Sequence, residues 1–216
     1  MINEATRAAN FTNEGGVAGT TRFMKNLAGL WPLQQCRRTW IEREPDLDYA
    51  AIAQRAAAAK PFQAVIDIDH PSLVNPADMP AAVADLCRKG GYAVPSDVGS
   101  MARVILECLA LGYRRRLDEL EKLTGRTFDK VHIVGGGTQN RLLMQFAADA
   151  MGRPVVAGPV EATAIGNIMM QAIATGELAS LADGRAMVRR SFPMETFEPT
   201  NPAPWSEAYA RLRKSL

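Results

Sequence analysis

Three consecutive glycines, Gly135, Gly136 and Gly137, stand between a β-branched run, Val131–Val134, and the polar trio Thr138, Gln139, Asn140. Strand, glycines, helix is the geometry of an anion site. Glycines let the backbone turn tightly and approach a ligand with no Cβ in the way. Exposed N–H groups and the positive end of the following helix then favour phosphate. Several readings compete. A Walker A loop needs a Lys after the glycines, and none follows. A dinucleotide fold needs a third spaced glycine, but Asn140 occupies that position, and Ala157 stands where a ribose-binding acid belongs. A third reading is a kinase or ATPase of the sugar-kinase and actin type, with a glycine pair lying against the nucleotide. A fourth is a tight turn that binds nothing, in which Asn140 simply caps the glycine turn.

Other reactive side chains give weaker signals. Asp67, Asp69 and His70 lie close together but lack a fourth ligand, and Pro71 and Pro76 interrupt their loop, so no metal site is assigned. Arg114, Arg115 and Arg116 read as a solvated helix face rather than a nucleic-acid patch. Arg22 and Lys25 read the same way. Trp31, Trp40 and Trp205 read as packing residues. The three cysteines are far apart and form no Cys-x-x-Cys pair, which suits buried thiols in a reducing cytoplasm.

The elements that must position these residues follow from periodicity. Residues 11–19 are glycine-rich. Phe23, Met24, Leu27, Leu30 and Trp31 fall at helical spacing, so 20–31 reads as a helix that Pro32 should kink or restart. An alanine-rich helix covers 47–59. Residues 64–67 read as a short strand before a proline-punctuated loop, and 78–89 as a short helix. Ser96 or Asp97 caps a long helix reaching about Leu123, stopped by Gly125. Val131–Val134 is then a strand, 139–151 a helix and 154–157 a second strand. The helix over 161–175 should turn Ile165, Ile168, Met169 and Ile173 inward, with Glu161 favoured at its start. A short helix near 179–188, an extended segment at 194–197 and a final helix from about Pro204 complete the chain. Only two or three strands stand out, fewer than an α/β sheet needs.

With 216 residues, 47% apolar and 22% charged, the chain has the composition of a globular protein with a core of its own. A net charge of +2 points to neither nucleic acid nor membrane as partner. No 18-residue apolar run is present to span a bilayer, and the N-terminal stretch has no signal-peptide core.

The stretch GGGTQNRLLMQFAADAMGRPV, followed by Glu161–Gly166, resembles the carboxy-terminal signature of the FGGY carbohydrate kinases. Residues 10–35, 66–80 and 157–163 are similar to the rhamnulokinase pattern within that family. The resemblance implies an α/β fold of the ribonuclease H-like, actin-like ATPase type, helix-rich and lacking its first strands. It implies one domain over residues 1–216, the C-terminal nucleotide-binding domain, with an N-terminal sugar-binding domain absent. It further implies transfer of a phosphoryl group from ATP, with Mg²⁺, to a ketose such as rhamnulose. Fuculose, xylulose, or a non-catalytic nucleotide-binding module are the alternatives.

By that resemblance Gly136 lies against the nucleotide with Gly135, Gly137 and Gln139 as neighbours. Asn140 reads the adenine edge and Gln34 contacts the nucleotide. Asn26 contacts the substrate. Pro32 departs from the pattern and puts the placement of Gln34 at issue. The general-base Asp is expected outside these residues, so the chain should be inactive alone. Surface left uncovered should favour a homodimer or larger species.

Overall fold

The computed structural model describes residues 1–214. Its spine is one helix, α5 (Val98–Thr124). Asp97 caps it reciprocally with Ser100, and Gly125, in the left-handed conformation at φ 65°, ends it. From Gly99 to Gly112 every residue but Arg103 is buried. A helical stretch buried on every face belongs inside a protein, and the first half of α5 is enclosed accordingly. On one side lies α3 (Tyr49–Ala58), capped by Asp48. The two helices approach so closely at Gly99 that a Cβ there would stand 2.7 Å from the Arg55 carbonyl oxygen. On another side lies α6 (Arg141–Met151), ended by left-handed Gly152. The helices α2 (Trp31–Trp40), α4 (Met79–Lys89, capped by Asp78) and α9 (Pro202–Lys214) complete the core.

Within this core Glu107 is buried. It accepts from Arg103 Nε at 2.7 Å and from the Phe62 N–H at 2.8 Å. Burial pushes its carboxyl above the usual range despite the Arg103 partner.

Two small sheets flank the helices. The strands β3 (Val131–Ile133) and β4 (Val155–Ala157) pair in parallel, joined through α6. Strand β5 (Glu195–Phe197) pairs antiparallel to β4. The order β3-β4-β5 leaves β3 at an edge. Separately, β1 (Thr12–Gly15) and β2 (Thr21–Met24) form an antiparallel hairpin, with Phe11 stacked on Phe23 at 4.8 Å. An apolar groove of about 470 Å³ runs between the hairpin, α5 and β3. Phe11, Phe23, Leu117, Leu120, Val131 and Ile133 are among its lining. A short helix, α1 (Glu4–Ala8), precedes the hairpin, and α7 (Ala162–Ala174) and α8 (Leu181–Ser191) pack on each other.

Three expectations are corrected, and one pair of alternatives is decided. Residues 21–24 form a strand, not a helix, because the cross-strand ladder Thr12↔Met24 through Gly15↔Thr21 satisfies their backbone. Of the two outcomes expected at Pro32, a helix starts there and none is kinked: it sits in the first turn of α2, where no N–H is needed and its fixed φ suits the start. Residues 64–67 are buried or half-buried but pair with no strand. Their backbone meets α5 instead, the Ile66 N–H reaching Cys108 Sγ at 3.3 Å. Helix α7 has no buried residue, and Ile168 is 67% exposed. No helix among the described residues is long and apolar enough to cross a membrane.

Candidate functional site

The chain leaves β3 at Ile133 and turns at Gly135, whose φ of 90° and ψ of −179° suit glycine alone. The Gly135 N–H donates to the Pro159 carbonyl at 3.0 Å, fixing the turn to the segment after β4. Residues Gly136–Gln139 then form one 3₁₀ turn. Thr138 is buried and locks it, its N–H and hydroxyl both donating to the Gly135 carbonyl at 3.1 and 2.7 Å. Asn140 starts α6: its Oδ1 accepts the Leu143 N–H at 3.0 Å. This is the cap that the simple-turn reading foresaw. The Asn140 Nδ2 has no partner among the described residues.

The face of this turn is open. A Cβ on Gly135 or Gly136 would meet nothing within 4 Å. Gly137 is different, since a Cβ there would lie 3.6 Å from Leu30 Cδ1. Leu30 is the residue before α2, and its carbonyl accepts the Gln34 N–H at 2.9 Å. The glycine turn and Gln34 are therefore linked through Leu30, although they are about a hundred residues apart in sequence. Gln34 and Gln139 are both exposed. Pro32 begins α2 without deflecting it, so it does not displace Gln34 from this junction.

Asn26 lies elsewhere. It is exposed on the connection between β2 and α2 and lines a second cleft, of about 560 Å³, with Lys25, Trp31, Asp69, His70 and Arg116. The wall of this cleft was not foreseen from sequence. Arg116, read as solvated, is only 13% exposed and bridges two carboxylates. It donates to Asp69 Oδ2 at 2.8 Å and to Glu119 at 2.8 and 2.9 Å. Lys25, also read as solvated, donates to Glu119 at 3.2 Å and to the Ala9 carbonyl at 2.7 Å. A signal was present in the spacing of Arg115 and Arg116 four and three residues before Glu119.

Burial alone would raise the Glu119 carboxyl, but the hydrogen bonds from Arg116 and Lys25 outweigh it and hold the group below its ordinary value. Asp69 is engaged by Arg116, Asp67 lies 3.7 Å from Arg115, and His70 Nδ1 pairs with Ser72 Oγ. No group of three or more His, Cys, Asp or Glu among the described residues is arranged to hold a metal.

Burial pushes the thiols of Cys36 and Cys108 up to about 12 and that of Cys87 up to about 11. Burial thus disfavours the thiolate, the nucleophilic form, at all three.

The sequence and the fold both have known relatives. A rhamnulokinase of Bacteroides thetaiotaomicron is 44% identical over 216 residues, covering all of this chain and 44% of that protein. One from Klebsiella pneumoniae subsp. pneumoniae is 42% identical over 196 residues, covering 91% of this chain and 39% of that one. The chain thus spans well under half the length of these curated relatives. Among solved structures, gluconate kinase from Lactobacillus acidophilus superposes with a TM-score of 0.66 at 12% identity. That match covers 96% of this chain and 42% of the kinase. The likeness assigns the fold, which is the actin-like ATPase α/β type in helix-rich form. Residues 2–175 match the C-terminal domain of the FGGY family of carbohydrate kinases, and the chain belongs to that family.

Proposed function

We propose that this chain is the ATP-binding half of a ketose kinase and that the whole protein converts rhamnulose to rhamnulose 1-phosphate. The relatives named as rhamnulokinases support the substrate; fuculose and xylulose are the other ketoses considered. The observation that carries the nucleotide assignment is the open face of Gly135 and Gly136 beside Leu30 and Gln34. In this reading ATP lies on Gly136, with Gly135, Gly137 and Gln139 around it. Asn140 Nδ2 donates to an acceptor on the adenine edge, while its Oδ1 remains committed to the helix cap. Gln34 reaches the nucleotide from α2. Asn26 faces the sugar from the second cleft.

Phosphoryl transfer asks a protein chiefly for positioning and for compensation of phosphate charge. These residues supply the positioning. Mg²⁺ accompanies ATP, and such ions commonly bind through substrate phosphates and water rather than a protein cage. The general base and most of the sugar pocket belong to polypeptide outside residues 1–216, and the protein works in the cytoplasm. Its three free, buried thiols suit that compartment.

Two readings on one preparation test this. Given MgATP and rhamnulose, the isolated chain forms no sugar phosphate. Turnover that Gly136→Val abolishes would instead put the base and sugar pocket within these residues. Light scattering should give a dimer or larger species, because the edge of β3 and its apolar groove are uncovered; a monomer would count against self-association.

A further inference from the structure

The connection from β2 to α2, residues 25–30, has neither strand nor helix to hold it. It nevertheless carries Asn26 near one end and Leu30, against Gly137, at the other. Its shape is set by a ring of charges. At its first residue, Lys25 Nζ donates to Glu119 at 3.2 Å. Glu119 accepts from Arg116 at 2.8 Å. The far side of the same guanidinium donates to Asp69 Oδ2 at 2.8 Å. Asp69 closes the ring, its Oδ1 accepting the Ala28 N–H at 3.0 Å. Asn26 sits between the two anchored residues, Lys25 and Ala28.

Arg116 is held in this ring at a cost, since its Nε is buried with no partner. The planar fork explains why the cost is tolerated. A guanidinium reaches two carboxylates in fixed directions, which a lysine ammonium cannot do.

We propose that Asp69 is a positioning residue of the kinase site. It fixes the connection so that Asn26, toward the sugar, and Leu30 with Gln34, toward the nucleotide, keep one mutual geometry. The proposal rests on the functional reading above and deepens it. Small misplacements of contact residues are enough to cost a phosphoryl-transfer site much of its rate.

Hydrogen exchange on the 216-residue chain reads this pin without a ligand. Opening at Ala28 must break a bond to a charged acceptor, so its amide should exchange at least about tenfold slower than an open-coil amide. Asp69→Ala should remove that protection and weaken MgATP binding roughly tenfold, while amides in the buried half of α5 keep their rates. Asp69→Asn retains an acceptor for Ala28 but loses the charge facing Arg116. It should restore protection at Ala28 and part of the MgATP affinity, a partial rescue that loss of general stability would not show.

Free exchange at Ala28 in the unmutated chain overturns the proposal. So does equal MgATP affinity in the unmutated chain and Asp69→Ala. If Asp69→Ala does not fold, the unmutated exchange profile and Asp69→Asn still decide the matter. Failure of the unmutated chain to bind MgATP sinks the functional reading instead, and exchange at Ala28 alone then decides the pin.

Discussion

Asn140 joins an observed helix cap to a proposed nucleotide contact. Its carbonyl oxygen caps α6, and its amide nitrogen is left free beside the open glycine face. The cap and the proposed contact separate by substitution. Asn140→Ala loses the cap and should destabilise the chain by about 1 kcal/mol. Asn140→Asp keeps the cap, so denaturant unfolding should give nearly unchanged stability, yet it replaces the free donor with a charged acceptor. Calorimetry should then show weaker MgATP binding in both variants. If Asn140→Asp binds MgATP as tightly as the unmutated chain, Asn140 does not belong to the nucleotide site.

At the scale of elements, α5 organises both the core and the second cleft, and its charge ring gives it a pH signature. Folding holds the Glu119 carboxyl below its ordinary 4.5. The folded chain therefore binds that proton more weakly than the unfolded chain. The stability this contributes is complete above about pH 4.5 and drains away as pH falls through the lower folded value. Glu107 works in the opposite sense, because its raised pKa contributes stability that is lost as pH rises through it. Melting temperatures below pH 4.5 should fall less steeply for Glu119→Gln than for the unmutated chain; identical acid limbs would show that the ring contributes nothing.

Much of this level was legible in the sequence. The helices α3 and α4 follow from their composition and pattern, the start of α5 from Asp97, and the ends of α5 and α6 from Gly125 and Gly152. Such signals are local, and the chemistry that caps a helix is written within a few residues. The hairpin was not legible, because Phe23, Met24 and Leu27 satisfy a helical spacing as well as a strand, and only the partner strand decides. Helix α7 misled for a related reason. Its apolar stripe announces a face to be covered, but a stripe cannot say whether the covering element lies within the same residues. The ring around Asp69 joins positions 25, 69, 116 and 119, and no local pattern connects them. The glycine turn was legible as a tight strand-to-helix turn with an open face, while its junction with Gln34 through Leu30 was not.

At the scale of the whole molecule, two small sheets stand apart with an apolar groove between them, and β3 ends at an unpaired edge. The chain also spans less than half of its curated relatives. Both features suit a nucleotide-binding half that acts with further polypeptide. Everything proposed for that half depends on the glycine turn being the nucleotide floor. Gly136 is a suitable probe of it: its backbone is outside the left-handed region and an added Cβ meets nothing within 4 Å, so a valine side chain enters the open face at its first atom without a clash. The experiment is titration calorimetry of MgATP, with NAD as control, into the unmutated chain and Gly136→Val. MgATP should bind, and valine should weaken that binding at least about tenfold, a loss of roughly 1.4 kcal/mol or more, with no comparable heat from NAD. No MgATP binding to the folded chain, or binding that valine leaves untouched, would take the nucleotide away from this turn.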